Sequence, residues 1–355
     1  MEFSVPYNGD RGLISQLAAL RDAEGVPIRE LFLSGPRENA SSGRVVHNGN
    51  VEQFYATVEQ MHAAGFRVNL VMNSTCEGLT TYSDGYGEYL RNFVGYMIDD
   101  LGIEAFTVAN PYVLAIVHEV APKVEISASV LADVDCVERA RAFRRLGATV
   151  VTPDVSINRD LRMLKRIKEE SGLELKVMVN EGCLYKCPYR KYHFNVMSHV
   201  SSNAARVGKT LSADQFKSQI DYVAGQSFFN MCGTDLREDP SQILKSGWVR
   251  PEDLRAYSEV TSFFKISGRT RPTHVILRMI RAYACECWDG DLLDLMDSSL
   301  YAHAAVTGVR LDNKLLGQER FIDHVMNCGR DCAACGFCDS LAKRVLSYGG
   351  SADTR

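Results

Sequence analysis

From the N-terminus to about residue 290, short apolar runs alternate with longer amphipathic ones, and that period leaves few folds open. Strands are predicted at FSVPY from Phe3, IRELFLS from Ile28, RVNLVMN from Arg67 and AFTVAN from Ala105. Four more follow at VEISASV from Val124, ATVVTPD from Ala148, LELKVMVN from Leu173 and SFFKISGR from Ser262. Between them run helical patterns such as VEQFYATVEQMHAAG, GEYLRNFVGYMIDDLG and NRDLRMLKRIKEESG, several closed by the Gly that helix C-termini favour. The last strand precedes RPTHVILRMIRAYACE, another helix. Strands separated by helices must pair in parallel through right-handed crossovers. Eight such units match an α/β fold of the (β/α)8 TIM type. A doubly wound open sheet is the alternative, and its dinucleotide-binding form is weakened because no G-x-G-x-x-G follows the first strand.

The alternation breaks once. Residues 181–260 form an insertion after the seventh strand, too long for an ordinary βα loop, holding Cys183, Cys187, Cys232 and the helical pattern ADQFKSQIDYVAG. In a barrel this segment hangs over the C-terminal face, where active sites form. The expected division is a barrel over 1–290, insertion included, and a helical tail over 291–355.

Composition removes several classes of function. Apolar residues make up 46% of the 355, enough for a full core, and the net charge of -4 argues against whole-surface capture of nucleic acid. No apolar stretch approaches the roughly 18 to 20 residues of a membrane span. The opening MEFSVPYNGDRG has neither a basic nor an apolar signal region. Eleven cysteines in such a chain point to a reducing, cytoplasmic setting and to metal ligation rather than disulfides.

The tail carries Cys328, Cys332, Cys335 and Cys338 in the run CGRDCAACGFC. Four thiols this close favour one shared ion, and the compact spacing suits a 4Fe-4S cluster. Zinc is the alternative occupant, although its sites more often pair two separated C-x2-C knuckles. The first three cysteines also match the C-x3-C-x2-C spacing of radical S-adenosylmethionine enzymes, but their C-terminal place and the fourth thiol at Cys338 favour a closed cluster, structural or electron-relaying. In the insertion, Cys183, Cys187 and Cys232 make a second candidate set at the barrel rim, with Cys76 from the third strand end as a candidate fourth ligand. Without it, one iron would stay open to substrate. Cys136, Cys285 and Cys287 are expected as packed thiols, the last two facing different sides of a helix.

Polar residues at strand ends complete a mixed-charge mouth: Asn8, Arg37, Asn73, Asn110, Asp154, Glu181, Lys265 and Arg269. Each has the alternative role of a helix cap or loop polar group. Lys265 and Arg269 suit a carboxylate or phosphate, and Glu181 is the candidate general acid or base. His193 and His199 are candidate proton carriers or ligands, or merely solvated loop histidines.

FFKISGRT, in particular Lys265 through Arg269, resembles the K-I-x-G-R signature of peptidase family U-thirty-two, the collagenase-like peptidases. The NEGC run and the cysteines after it are similar to that family's metal-binding region, and Arg278 and Tyr283 fit the helix after the motif. The resemblance implies a barrel with a cysteine-held 4Fe-4S cluster, ligated here by Cys183, Cys187 and Cys232. It also implies dioxygen-independent hydroxylation of a nucleobase or small molecule, with prephenate as oxygen donor for the RNAs. Two departures stand out: cysteines only four apart, and the tail run, which is outside the family pattern. The expected partners are an anionic small-molecule or nucleobase substrate, an electron donor protein and a partner subunit. A peptidase is the second reading, although no H-E-x-x-H, no G-x-S-x-G and no Cys–His pair can be picked out. A zinc-binding structural or RNA-modification partner protein is the third.

Overall fold

A computed structural model describes residues 1–36, 41–44, 49–78, 81, 83–207 and 227–349. The predicted mouth residue Arg37 and the helical pattern at 213–225 lie outside them. Eight parallel strands close into a barrel in sequence order. They are β1 (Glu2–Pro6), β2 (Ile28–Ser34), β3 (Val68–Met72), β4 (Ala105–Val108), β5 (Glu125–Ala128), β6 (Val150–Val151), β7 (Glu174–Met178) and β8 (Phe263–Lys265). Each falls within or overlaps a strand read from the sequence, although β4 to β8 end two or more residues before the predicted runs do, so the chain is a (β/α)8 barrel.

The helices between strands follow from local chemistry. In α1 (Arg11–Glu24), Leu13, Ile14, Leu17 and Leu20 make one buried face; Asp10 caps its start and Gly25, at φ 69°, ends it. In α2 (Val51–Ala63), Asn50 and Gln53 form a reciprocal capping box, and α3 (Tyr86–Asp99), α4 (Pro111–Val120), α5 (Val137–Arg145) and α6 (Leu161–Ser171) follow between the later strands. The outward strand residues, among them Phe3, Val5, Leu31, Leu33, Leu70 and Val177, pack with the helices into one continuous core.

The inside of the barrel is polar instead. Ser4, Glu30, Asn69, Thr107, Ser127 and Lys176 are all buried there. Lys176 Nζ lies 2.6 Å from Glu30 Oε1, and neither side chain is exposed. The second Glu30 oxygen accepts from Asn69 at 3.0 Å, Ser4 donates to the first at 2.5 Å, and Thr107 donates to Asn69 at 2.8 Å. Burial pushes the Glu30 carboxyl up, but the Lys176 ammonium, with Ser4 and Asn69, overrides it and holds the group at about 2.

After β7 the insertion places α7 (Arg190–Val207) and a helix at Ser227–Glu238 over the C-terminal face. The tail, expected as helical, also contains two short strands, β9 (Val309–Leu311) and β10 (Leu346–Tyr348), paired antiparallel. Three-residue strands from distant parts of the tail leave no period to read. Among the described residues no helix is long and apolar enough to cross a membrane.

Candidate functional site

At the C-terminal end of the barrel, Phe32, Arg44, Asn73, Glu181, Lys265 and Arg269 line a tight cavity of about 40 Å3. Lys265 ends β8 opposite Met178, one pleat beyond Lys176, which is opposite Phe263. It is buried, its Nζ lies 4.0 Å from the centre of the Phe32 ring, and no hydrogen bond or ion pair reaches that nitrogen from the described residues. Desolvation, reinforced by the cations of Lys176, Arg269 and Arg44, pushes its pKa far below that of an ordinary lysine.

Arg269 stands 5.9 Å from the same ring and donates to the hydroxyls of Ser34 and Ser42. Burial, then Arg44, lowers its guanidinium to about 9, which leaves it cationic at neutral pH. Between these two side chains Gly268 adopts φ +139°, and a Cβ there would meet Met279 at 2.9 Å, so the motif turns through a position that only glycine suits. Asn180 fixes the turn: its side chain accepts from Ser267 N at 2.7 Å and donates to Ser267 O at 3.0 Å.

The acidic wall is already engaged. Arg44 bridges Asp297 at 2.9 Å and Glu181 at 3.5 Å, and Ser267 donates to Asp297. Cys183 donates to Glu181 at 3.2 Å, and burial, then the Glu181 charge, pushes the Cys183 thiol well up. Arg190, only 10% exposed, has no hydrogen-bond acceptor at any of its three nitrogens; its nearest acid, Asp154, lies 3.9 Å away. Its guanidinium lies in the field of the Glu181 carboxylate, beside Cys183, and sits 5.1 Å over Phe194. His193 stacks on Phe194, and burial, then Arg44, lowers its pKa.

Cys183, Cys187 and Cys232 are partly buried; burial, then Cys187, raises the Cys232 thiol, and Cys187 adds a smaller share to the rise at Cys183. The Cys76 sulfur is 3.2 Å from His199 Nε2 on α7. That contact is the Cys–His pair that sequence reading could not pick out, because the two residues are far apart in the chain and share no local signature. Beside it opens a groove of about 450 Å3 lined by Thr75, Asn110, Asp133, Arg139 and Lys191.

In the tail, Cys328 and Cys332 raise the Cys338 thiol, which burial in the first place pushes up to about 11. Cys335 is exposed, 3.5 Å from His324 Nε2. Arg330, between Cys328 and Cys332, lies 4.9 Å over the Tyr185 ring, so the tail run meets the Cys183–Cys187 loop. Among the described residues, no three His, Cys, Asp or Glu side chains are gathered tightly enough to hold a metal ion.

Other predicted positions take structural roles. Asn110 caps α4 (Pro111–Val120), Asp154 caps the turn at Val155–Ile157, and Asn8 donates to Arg271 O and Thr273. Cys136 precedes α5 (Val137–Arg145) without a side-chain cap bond. Cys285 and Cys287 are bonded to one another, not packed apart: the helix Thr273–Ala284 ends before them, and Glu286 turns at φ 54°. Arg44, Arg190, Phe32 and Asp297 were missed; they come from loops, from the first residue of α7 and from the inward face of a strand, where no period or motif marks them.

These features define a (β/α)8 barrel whose cationic pocket lies at the C-terminal ends of its strands. Residues 17–289 match the model of Peptidase family U32, and the chain belongs to that family. A Methanocaldococcus jannaschii protein described as an uncharacterized protease is 29% identical over 351 residues, 97% of this chain and 98% of its own. Among solved structures, the U32 peptidase Mk0906 matches with a TM-score of 0.48 and 22% identity over 57% of this chain and 78% of its own. The maltogenic alpha-amylase AmyB of Thermotoga neapolitana matches with a TM-score of 0.36 and 8% identity, over 51% and 59%.

Proposed function

We propose that this chain is a cytoplasmic enzyme whose barrel mouth binds a small anionic substrate beside a thiolate-held iron–sulfur centre, and modifies it without dioxygen. One observation carries the reading: Lys265 and Arg269 converge on the Phe32 ring with no carboxylate paired to either among the described residues. A substrate carboxylate or phosphate would supply the negative charge missing beside Arg269. The donor chemistry beside the mouth fits a thiolate-bound group. Thiols deprotonate on binding metal, and Arg190 is a buried cation with unmet donors, set against Cys183. Cys183, Cys187 and Cys232 would hold the group, which as an iron–sulfur cluster would supply electron transfer or Lewis acidity. Glu181 and Arg44 would orient the substrate, while Phe32 and Phe194 would keep bulk water out. The tail set, Cys328, Cys332, Cys335 and Cys338, would hold a second cluster or zinc.

Iron, zinc and sulfide analysis on protein purified without air tests this. About eight irons with matching sulfide would mean two clusters, at four irons for each cysteine-held centre. Colourless protein holding only zinc would overturn the redox part.

A second reading, peptide hydrolysis, is favoured by the family and by the contact between Cys76 and His199 at 3.2 Å. There His199 would take the thiol proton and Cys76 would attack the peptide carbonyl, with the neighbouring groove seating the chain. Cleavage of a peptide library that is lost in Cys76→Ala and kept in Cys183→Ala would establish it; no cleavage by any form of the protein would dismiss it.

A further inference from the structure

We infer that Lys265 is an amine nucleophile, and that the mouth takes a carboxylic acid carrying an adjacent carbonyl, which Arg269 holds by the carboxylate while Lys265 Nζ condenses with the carbonyl carbon. This rests on the mouth being an anion site and goes one step further, to a covalent bond.

Three features of the site carry it. Lys265 is 5% exposed and its Nζ has neither a hydrogen bond nor an ion pair among the described residues, although it lies near the carboxylate of Glu30. Glu30 is already taken by Lys176, Ser4 and Asn69, and Glu181 by Arg44 and Cys183. A charged ammonium left without a partner at such depth is costly, so the resting side chain is the neutral amine, the form that attacks carbonyls. The lowered pKa agrees. Lys265 and Arg269 stand over one ring, within reach of a single small molecule. The cavity, about 40 Å3, favours a ligand of few atoms.

The chemistry balances without a redox partner. The amine lone pair forms the C–N bond and the carbonyl π pair moves to oxygen, which takes a proton from nitrogen to give a carbinolamine. Loss of that hydroxyl with one proton from solvent releases water and leaves a protonated imine. Its positive charge replaces the absent ammonium and pairs with the acid's own carboxylate.

Pyruvate, the smallest such 2-oxo acid with a ketone, is the probe, with sodium borohydride to reduce the imine to a stable secondary amine. The full-length protein, purified without air, is incubated with pyruvate, reduced and mapped by peptide mass spectrometry. The expected result is saturable modification at Lys265, absent from Lys265→Arg and Lys265→Met. In Arg269→Gln, half-saturation should need roughly 10- to 100-fold more pyruvate, the cost of one charge-assisted hydrogen-bond pair. Thermal melts show whether each variant is folded, and the wild-type result does not depend on them. Pyruvate binding by saturation-transfer NMR without any adduct at Lys265 would overturn the nucleophile and leave the anion site standing. Adducts spread over surface lysines with none at Lys265 would do the same. No binding of pyruvate would overturn the inference together with its choice of ligand; if phosphate and other carboxylates also failed to bind, the anion site would fall too.

Discussion

Two buried lysines stand one pleat apart inside this barrel and are treated in opposite ways. Lys176 has Glu30 at 2.6 Å, itself held by Ser4 and Asn69, and all four are sealed from water. Lys265, one pleat nearer the mouth, has an aromatic face and two further cations. Many barrels fill this space with branched apolar side chains. Here the lower layer pairs its lysine within an ionic network, while the upper layer leaves its lysine without a partner among the described residues. Placement alone does not make a buried lysine functional; what distinguishes Lys265 is that no group of the protein pairs with its amine among the described residues.

Lys176→Met puts that contrast under the greatest load. It leaves Glu30 buried without its cation, and removing one partner of a buried pair costs about 3–5 kcal/mol. Urea denaturation should show a loss of that order. The double variant Glu30→Gln/Lys176→Met should recover much of it, since no buried charge remains. A single variant as stable as the parent would mean that the network is not what holds the lower layer.

Acid should act on the same pair. The Glu30 carboxyl is held at about 2 in the fold, against an ordinary value of 4.5. A lowered carboxyl contributes stability that is full above 4.5 and is lost as pH falls toward 2. Unfolding free energy followed by urea titration over that range should fall with pH, and the double variant should show a shallower slope. Equal slopes would assign the acid sensitivity to other carboxylates.

How much of this was legible in the sequence follows from the length of each signal. All eight strands were readable because each is an apolar run set between helices whose caps, such as Asp10 and Gly25, are local. Lys265 and Arg269 were found through a contiguous motif that the Gly268 turn brings to the cavity. Glu30 and Lys176 passed unnoticed, although both interrupt apolar strands, because a charge within a strand reads as an outward residue until closure puts that face inside. Arg44 and Arg190 lie away from the strands, and the meeting of Cys76 with His199 depends on how α7 settles across the mouth. Such contacts between distant segments leave no pattern of spacing.

Near pH 10, about where a free lysine titrates, Lys265→Met should cost almost nothing by comparison, within about 1 kcal/mol, because a similar volume is kept and no partner is stranded. The pH dependence gives the more exact contrast. A lysine whose folded pKa is depressed takes up its proton in the unfolded chain first, so the wild type loses stability as pH falls below 10.5 and regains it as pH rises. Lys265→Met removes that slope. Its stability relative to wild type should therefore be highest near neutral pH and decline toward about pH 10, measured by urea denaturation across that interval. A constant difference would show that Lys265 keeps its proton in the fold, and the division between the two lysines would lose its electrostatic basis.

The smallest effect belongs to the exposed pair between Arg281 and Glu24, at 2.9 Å, with about half of each side chain in water. Its contact distance is close to that of the buried pair, so it separates geometry from burial. In water the Coulomb gain is modest, ordering two long side chains offsets part of it, and salt screens the rest. Arg281→Ala should change stability by about 0–1 kcal/mol, less still at high salt. If it cost as much as Lys176→Met, contact alone would set the energy of an ion pair in this protein. The expected disparity would instead place the difference in desolvation, which is also what leaves an unpaired amine at Lys265 neutral.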